Sequence, residues 1–175
     1  MVLYDIPVTT IDGTQTRLGP YRGRVLLIVN VASKCGFTPQ YAGLEALHRE
    51  FKDRGLVVLG FPCDQFLHQE PAAEAEIKQF CSLKYDVTFP MFAKVDVNGP
   101  NAHLLYQYLK GQRRGIFGTR AIKWNFGKFL VDRTGNVVGR YSMFTPPSKL
   151  RRRIDDLLGP VSASSPELTE STVAL

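Results

Sequence analysis

The stretch "RVLLIVNVASKCGFTPQY", Arg24 to Tyr41, decides how the chain is read. It opens with a short run of β-branched and leucine residues carrying few charges, the pattern of a strand buried on both faces. The run ends near Ala32, and Cys35 follows between Lys34 and Gly36. From Thr38 onward the spacing changes. Tyr41, Leu44, Leu47 and Phe51 recur at helical intervals, and Gly55 stands where a helix would be capped. The order is strand, cysteine-bearing turn, helix, which places Cys35 at or just before a helix N-terminus.

The pattern repeats outward. "LVVLGFP" (56–62) reads as a second buried strand, and "EPAAEAEIKQFCSLKY" (70–85) as a helix with Pro71 near its start and acids in its first turns. "FPMFAKVDV" (89–97) reads as a third strand and "NAHLLYQYLKGQ" (101–112) as a third helix. "IKWNFGKFLVDRTGNVVGRYS" (122–142) alternates in places and breaks at Thr134-Gly135-Asn136, a hairpin signal that sets Trp124 at a strand start. "PPSKLRRRIDDLL" (146–158) reads as a closing amphipathic helix. Parallel crossovers followed by an antiparallel end predict an α/β fold, a mixed central sheet flanked by helices on both faces. A strand leading into a cysteine at a helix start is also the thioredoxin-like arrangement. One domain is expected over 1–158. The Ser/Thr/Pro-rich segment 159–175 is expected to be a flexible tail.

Composition narrows the function classes. The chain has 175 residues, 44% of them hydrophobic, as in ordinary soluble domains. Its longest aliphatic run, Val25 to Val29, is far too short to span a bilayer, and "MVLYDIPVTT" lacks the basic and apolar regions of a secretory signal, so the expected compartment is the cytosol. The net charge of +6 is scattered, with clusters only at Arg113-Arg114, Arg120–Lys123 and Arg151–Arg153. These read as solvated faces, or as docking points for an acidic partner or anionic substrate. No zinc-finger, RRM or basic-zipper pattern accompanies them, so nucleic acid is not the expected partner. Three cysteines, Cys35, Cys63 and Cys81, are too few and too far apart for a disulfide scaffold. They also lack the close pairs of a structural zinc site, and no metal or cofactor is expected.

Cys35 remains open between a buried inert thiol and a reactive one. Unpaired N–H groups at a helix start, with Lys34 beside them, favour thiolate over thiol. Thr38 occupies the place of a second cysteine, so a local dithiol is absent, and Thr38 or Ser33 becomes a candidate helix cap. A thiol of ordinary pKa is a few per cent ionised at neutral pH. Full ionisation therefore gains at most about 30-fold, about 2 kcal/mol. Fast attack on a peroxide needs more, namely hydrogen-bond donors placed for the leaving oxygen. Two distant stretches carry such donors: "GFPCDQFLHQEP" (60–71), with Gln65, His68 and Gln69 after a buried strand, and "AIKWNFGKF" (121–129), where the single tryptophan Trp124 adjoins Asn125.

Together "NVASKCGFTPQY", "GFPCDQFLHQEP" and "IKWNFGKFLVD" resemble the three signature blocks of the glutathione peroxidase family, in order, and the likeness runs from about Val2 to Leu158. The resemblance implies a thioredoxin-like fold and a peroxidatic residue at Cys35, within a tetrad completed by Gln69, Trp124 and Asn125. "EIKQFCSLKYDVTFP" (76–90) is similar to the resolving segment of fungal thioredoxin-dependent members, which nominates Cys81; without the resemblance Cys81 reads as an inert apolar helix position. Cys63 reads as structural. Asp64 stands where the family usually has Asn, and Leu67 where it has Gly; a carboxylate facing the thiolate would oppose ionisation. The implied function is a thiol peroxidase that reduces hydrogen peroxide and organic hydroperoxides through a Cys35–Cys81 disulfide. Thioredoxin is its expected reductant, ahead of glutathione. A peroxide sensor that passes oxidation to a partner protein is the alternative. The short link between 112 and 122 resembles members lacking the insert associated with tetramers, so a monomer is expected.

Overall fold

The computed structural model describes residues 1–161; most of the tail expected at 159–175 lies outside the described residues. After a short 3-10 turn at Leu3–Asp5, the elements are β1 (Pro7–Thr9), β2 (Gln15–Arg17), β3 (Val25–Val31), α1 (Gln40–Phe51), β4 (Leu56–Pro62), α2 (Glu74–Tyr85), α3 (Leu104–Gln112), β5 (Lys128–Val131), β6 (Val137–Tyr141) and α4 (Arg151–Leu158).

Every residue of β3 is buried, as its unbroken aliphatic run requires of a central strand. Its side chains alternate between two cores. Val25, Leu27, Val29 and Val31 pack with Tyr41, Leu44, Leu47 and Phe51 of α1, Ile77 and Cys81 of α2, and Ile154 and Leu158 of α4. Leu26 and Ile28 face the opposite side, against Leu105, Tyr106 and Leu109 of α3 and the N-terminal Leu3, Tyr4 and Ile6. Each such aliphatic side chain contributes about 2 kcal/mol by leaving water, which is what holds helices on both faces. The sheet order is β4-β3-β5-β6, with β3 and β4 parallel and the remaining pairs antiparallel. This is the mixed sheet that the sequence predicts, and Gly55, at φ 112°, ends the turn after α1 in the left-handed conformation that glycine tolerates.

Two local expectations need correction, and one pair of strands is added. The segment 89–97 is not a strand: its pairing with β4 amounts to an isolated bridge at Gly60–Met91 and one further bond. Gly60 N donates to Pro90 O and Phe92 N to Gly60 O, but the next residue of β4 facing this edge is Pro62, which accepts from Val95 N and has no N–H to return. The ladder therefore stops. Trp124 does not start a strand either, since β5 begins at Lys128 and Trp124 lies in the preceding loop. The antiparallel pair β1–β2 is an addition; its strands are three residues each and too polar for periodicity to reveal.

Candidate active site

β3 delivers the chain into a tight turn around Cys35. The Thr38 hydroxyl donates to Ala32 O at 2.8 Å and accepts from Cys35 N at 2.8 Å, while Thr38 N donates to Cys35 O at 3.0 Å. Thr38 therefore closes the cysteine's own turn and does not cap α1, which has Pro39 as N-cap and no side-chain cap. The reason is geometric. Successive i to i+3 bonds from Cys35 onward wind the chain before α1 begins, so the free N–H groups fall at the cysteine turn. One of them, Phe37 N, donates to Cys35 Sγ at 3.3 Å. Cys35 is 7% exposed, at the edge of the core it shares with α1 and α2.

The loop after β4 is fastened to this turn. Lys34 N donates to Gln69 O at 3.0 Å, joining the residue before Cys35 to the second block. Asp64 organises that loop: Oδ1 accepts from Glu70 N at 2.9 Å and Oδ2 lies 3.0 Å from His68 Nδ1. Burial alone would raise the Asp64 pKa, but the His68 and Glu70 hydrogen bonds outweigh it and lower the value. Both carboxylate oxygens are thus committed within the loop. Leu67 and His68 adopt φ of 53° and 51°, so the departure from glycine at 67 leaves a γ-branched residue in the left-handed region.

Asn30, near the end of β3, positions the third block. Its Nδ2 donates to Trp124 O at 3.1 Å and its backbone O accepts from Phe126 N at 2.6 Å. Gly127 lets this strap approach, because a Cβ there would sit 3.0 Å from Asn30 Oδ1. The Trp124 ring packs beside Phe66 at 5.6 Å between centroids. Asn125 is fully buried, and its Nδ2 donates to Gln69 Oε1 at 2.9 Å. Its own Oδ1 is buried without a partner, an acceptor facing no donor of the protein.

Beneath the site lies Glu70, fully buried, whose carboxylate accepts from Ser33 Oγ at 2.7 and 3.0 Å. Burial pushes its carboxyl up, against the opposing pull of Ser33. Ser33 thus holds Glu70 instead of capping α1. Cys81 shares the core containing Cys35, and both are free thiols. Burial pushes the Cys81 thiol up to about 11, with the Tyr41 hydroxyl working the other way and the Glu70 charge adding to the rise. Tyr41 Oη nonetheless makes no hydrogen bond of good geometry. Cys63, fully buried at the end of β4, is pushed to about 11 chiefly by burial, as a packed inert thiol would be.

Gln69 and Asn125 are brought together by a direct bond, with Trp124 adjacent in the chain and Cys35 one residue beyond the Lys34–Gln69 link. Sequence reasoning missed Asn30 and Glu70, and it gave Ser33 a different task, that of a helix cap. An asparagine inside an aliphatic strand was the available signal for Asn30. Nothing local marks Ser33 and Glu70 as partners across the fold.

A glutathione peroxidase family model matches residues 3–110. "Glutathione peroxidase-like peroxiredoxin HYR1" of Saccharomyces cerevisiae is 58% identical over 137 residues, covering 78% of this chain and 84% of its own length. "Hydroperoxy fatty acid reductase gpx1" of Synechocystis sp. is 52% identical over 161 residues, covering 89% and 95%. The crystal structure of T. cruzi GPX1 superposes with a TM-score of 0.75 at 38% identity, over 90% of this chain and 97% of that one. The thioredoxin-like fold expected from the motifs is thereby established, and the chain belongs to the glutathione peroxidase family as a peroxide-reducing enzyme.

Proposed function

We infer that Cys35 is the peroxidatic thiol, that Gln69, Trp124 and Asn125 surround the reacting atoms, and that Cys81 is the resolving thiol. The observation that carries this reading is the convergence of three distant segments on one turn. The Lys34–Gln69 backbone bond and the Gln69–Asn125 side-chain bond make that junction.

The chemistry follows from the groups present. The Cys35 thiolate attacks one oxygen of a hydroperoxide, the O–O bond breaks, and Cys35 becomes a sulfenic acid. The departing hydroxide or alkoxide takes up a proton and leaves as water or alcohol. Amide and indole N–H groups beside the breaking bond stabilise its charge, the larger effect that ionisation of the thiol does not provide. Cys81 attacks the sulfenic sulfur, releasing water and forming a disulfide, and a dithiol protein of thioredoxin type reduces it by exchange. A disulfide suits a dithiol reductant better than glutathione. A peroxiredoxin and a hydroperoxy fatty acid reductase among the relatives support a substrate range from hydrogen peroxide to organic hydroperoxides. We place the cycle in a monomer acting in the cytosol, where a thioredoxin pool keeps thiols reduced.

Resolution requires Cys81 to leave its pocket, because thiolates attack and the packed thiol is held protonated. The end of α2 is the part that must open. Asp86 sits left-handed at φ 50° as its C-cap, and Val87 N donates to the carbonyl of Cys81 itself at 3.2 Å. Unwinding this last turn frees Cys81.

The test is NADPH consumption coupled through thioredoxin and thioredoxin reductase, or through glutathione and glutathione reductase. Wild type turns over with thioredoxin, Cys35→Ser is inactive, and Cys81→Ser loses thioredoxin-coupled turnover. Thioredoxin-coupled activity in Cys35→Ser would overturn the assignment. Loss of Cys81 without effect would remove the resolving role alone.

A further inference from the structure

Lys128 is fully buried at the start of β5. It stands in register with Val29 of β3 and Tyr141 of β6, so its side chain leaves the sheet on the face of Val29. That face is the core containing Cys35, Tyr41 and the apolar side of α1. An apolar residue would ordinarily fill such a position, because an ammonium without a counter-ion is costly to bury. Among the described residues Lys128 forms no salt bridge. Burial lowers its pKa to about 8, which still leaves an ammonium at neutral pH.

The partners of that ammonium are carbonyls. Lys128 Nζ donates to Phe126 O at 2.7 Å and to Ser142 O at 3.5 Å. Phe126 stands at φ 63°, in the left-handed region that disfavours an aromatic L-residue. It is held there from both sides, because its N–H donates to Asn30 O at 2.6 Å while its carbonyl accepts from Lys128. At this residue the chain turns between two tasks. Asn125 donates through Nδ2 to Gln69, whereas the Phe126 ring packs 5.4 Å from Tyr41 in the core. An apolar side chain at 128 would fill the same space and donate nothing to Phe126 O.

We propose that Lys128 is a positioning residue for the attack on peroxide: its ammonium pins the Phe126 carbonyl, keeps that residue left-handed, and so holds Trp124 and Asn125 where the reaction needs them. This rests on the reading of Trp124 and Asn125 as part of the reacting site and adds a residue that touches neither peroxide nor thiol. Cys81 has no share in the contact, so the effect falls on the first oxidation step alone.

Quenched-flow alkylation of the full chain with excess hydrogen peroxide reads Cys35 oxidation and disulfide formation separately. In Lys128→Met, a side chain of similar length without a donor, Cys35 oxidation slows about tenfold and disulfide formation keeps its rate. Asn125→Ala, expected to cost about 100-fold in wild type, costs only about tenfold more in the Lys128→Met background, since Asn125 is already displaced there. Lys128→Gln, which ends one bond short of the Phe126 carbonyl, carries the same expectations if circular dichroism melts show Lys128→Met to be unfolded. Oxidation within about twofold of wild type, equal slowing of both steps, or the full 100-fold cost of Asn125→Ala in a folded Lys128 variant would each overturn the proposal. Failure of the underlying site reading is distinguishable, because Asn125→Ala would then leave the rate unchanged with Lys128 intact, and the proposal would fall with it.

Discussion

Asn125 Nδ2 donates to Gln69 Oε1 at 2.9 Å, joining residues far apart in the chain directly beside the turn that carries Cys35. The bond orients both amides, leaves Asn125 Oδ1 as a buried free acceptor, and makes each side chain depend on the other for its position. Asn125→Ala removes a polar group at the site and releases Gln69. The expected loss is about 100-fold in the rate of peroxide attack, similar to deletion of one donor from a preorganised anion site. Stopped-flow fluorescence of the first oxidation step measures it. A change of only a few-fold would place Asn125 outside the chemistry.

The proposed release of Cys81 leads to a prediction about α2. Asp86 caps the helix in the left-handed region, at φ 50°, which costs an L-residue about 1 kcal/mol that glycine does not incur. Asp86→Gly should steady the last turn and slow disulfide formation about fivefold. The rate of sulfenic acid formation should stay the same. Quenched-flow alkylation separates the two steps.

Leu67 offers a control on the loop itself. Its φ of 53° and 77% exposure mean that the side chain gains little burial in return for backbone strain. Leu67→Gly should be more stable than Leu67→Ala by about 1 kcal/mol, the reverse of the order in an ordinary strand or helix. Denaturant unfolding of the two variants gives the comparison.

Lys128 makes stability depend on alkaline pH in a defined direction. Its folded pKa is lowered to about 8 by burial from an ordinary 10.5. Between these values the unfolded chain binds more protons than the folded one, so the Lys128 contribution to stability rises as pH rises. Cys63 and Cys81, raised to about 11, act in the opposite sense over a partly overlapping range, so the measurement is a difference. The stability of wild type relative to Lys128→Met should increase from about pH 8 to about pH 10.5. A flat difference would mean that the ammonium is not desolvated.

What the sequence discloses and what it hides divide along physical lines. The β3 run, the helical spacing of Tyr41 to Phe51 and the hairpin at 132–136 are local patterns, and each appears in the fold. Three separate motifs name Cys35, Gln69, Trp124 and Asn125 together, and the Lys34–Gln69 and Gln69–Asn125 bonds bring the segments that carry them to one turn. The failed strand at 89–97 depended on what stands opposite: Pro62 on a neighbouring strand. The Ser33–Glu70 contact, the tie from Asn30 to Trp124 and the burial of Lys128 among carbonyls likewise exist only once distant segments meet. Thr38 was singled out correctly but for another task, because the turn it closes precedes the helix it was expected to cap.

The central claim is that Cys35 is oxidised first and Cys81 receives that oxidation. Mass analysis with peptide mapping after one equivalent of hydroperoxide tests it most directly. Wild type should lose two hydrogens and yield a Cys35–Cys81 disulfide peptide, while Cys81→Ser should gain one oxygen at Cys35, trapped by dimedone. A disulfide involving Cys63, or oxidation at Cys81 in a Cys35→Ser variant at the wild-type rate, would contradict the account.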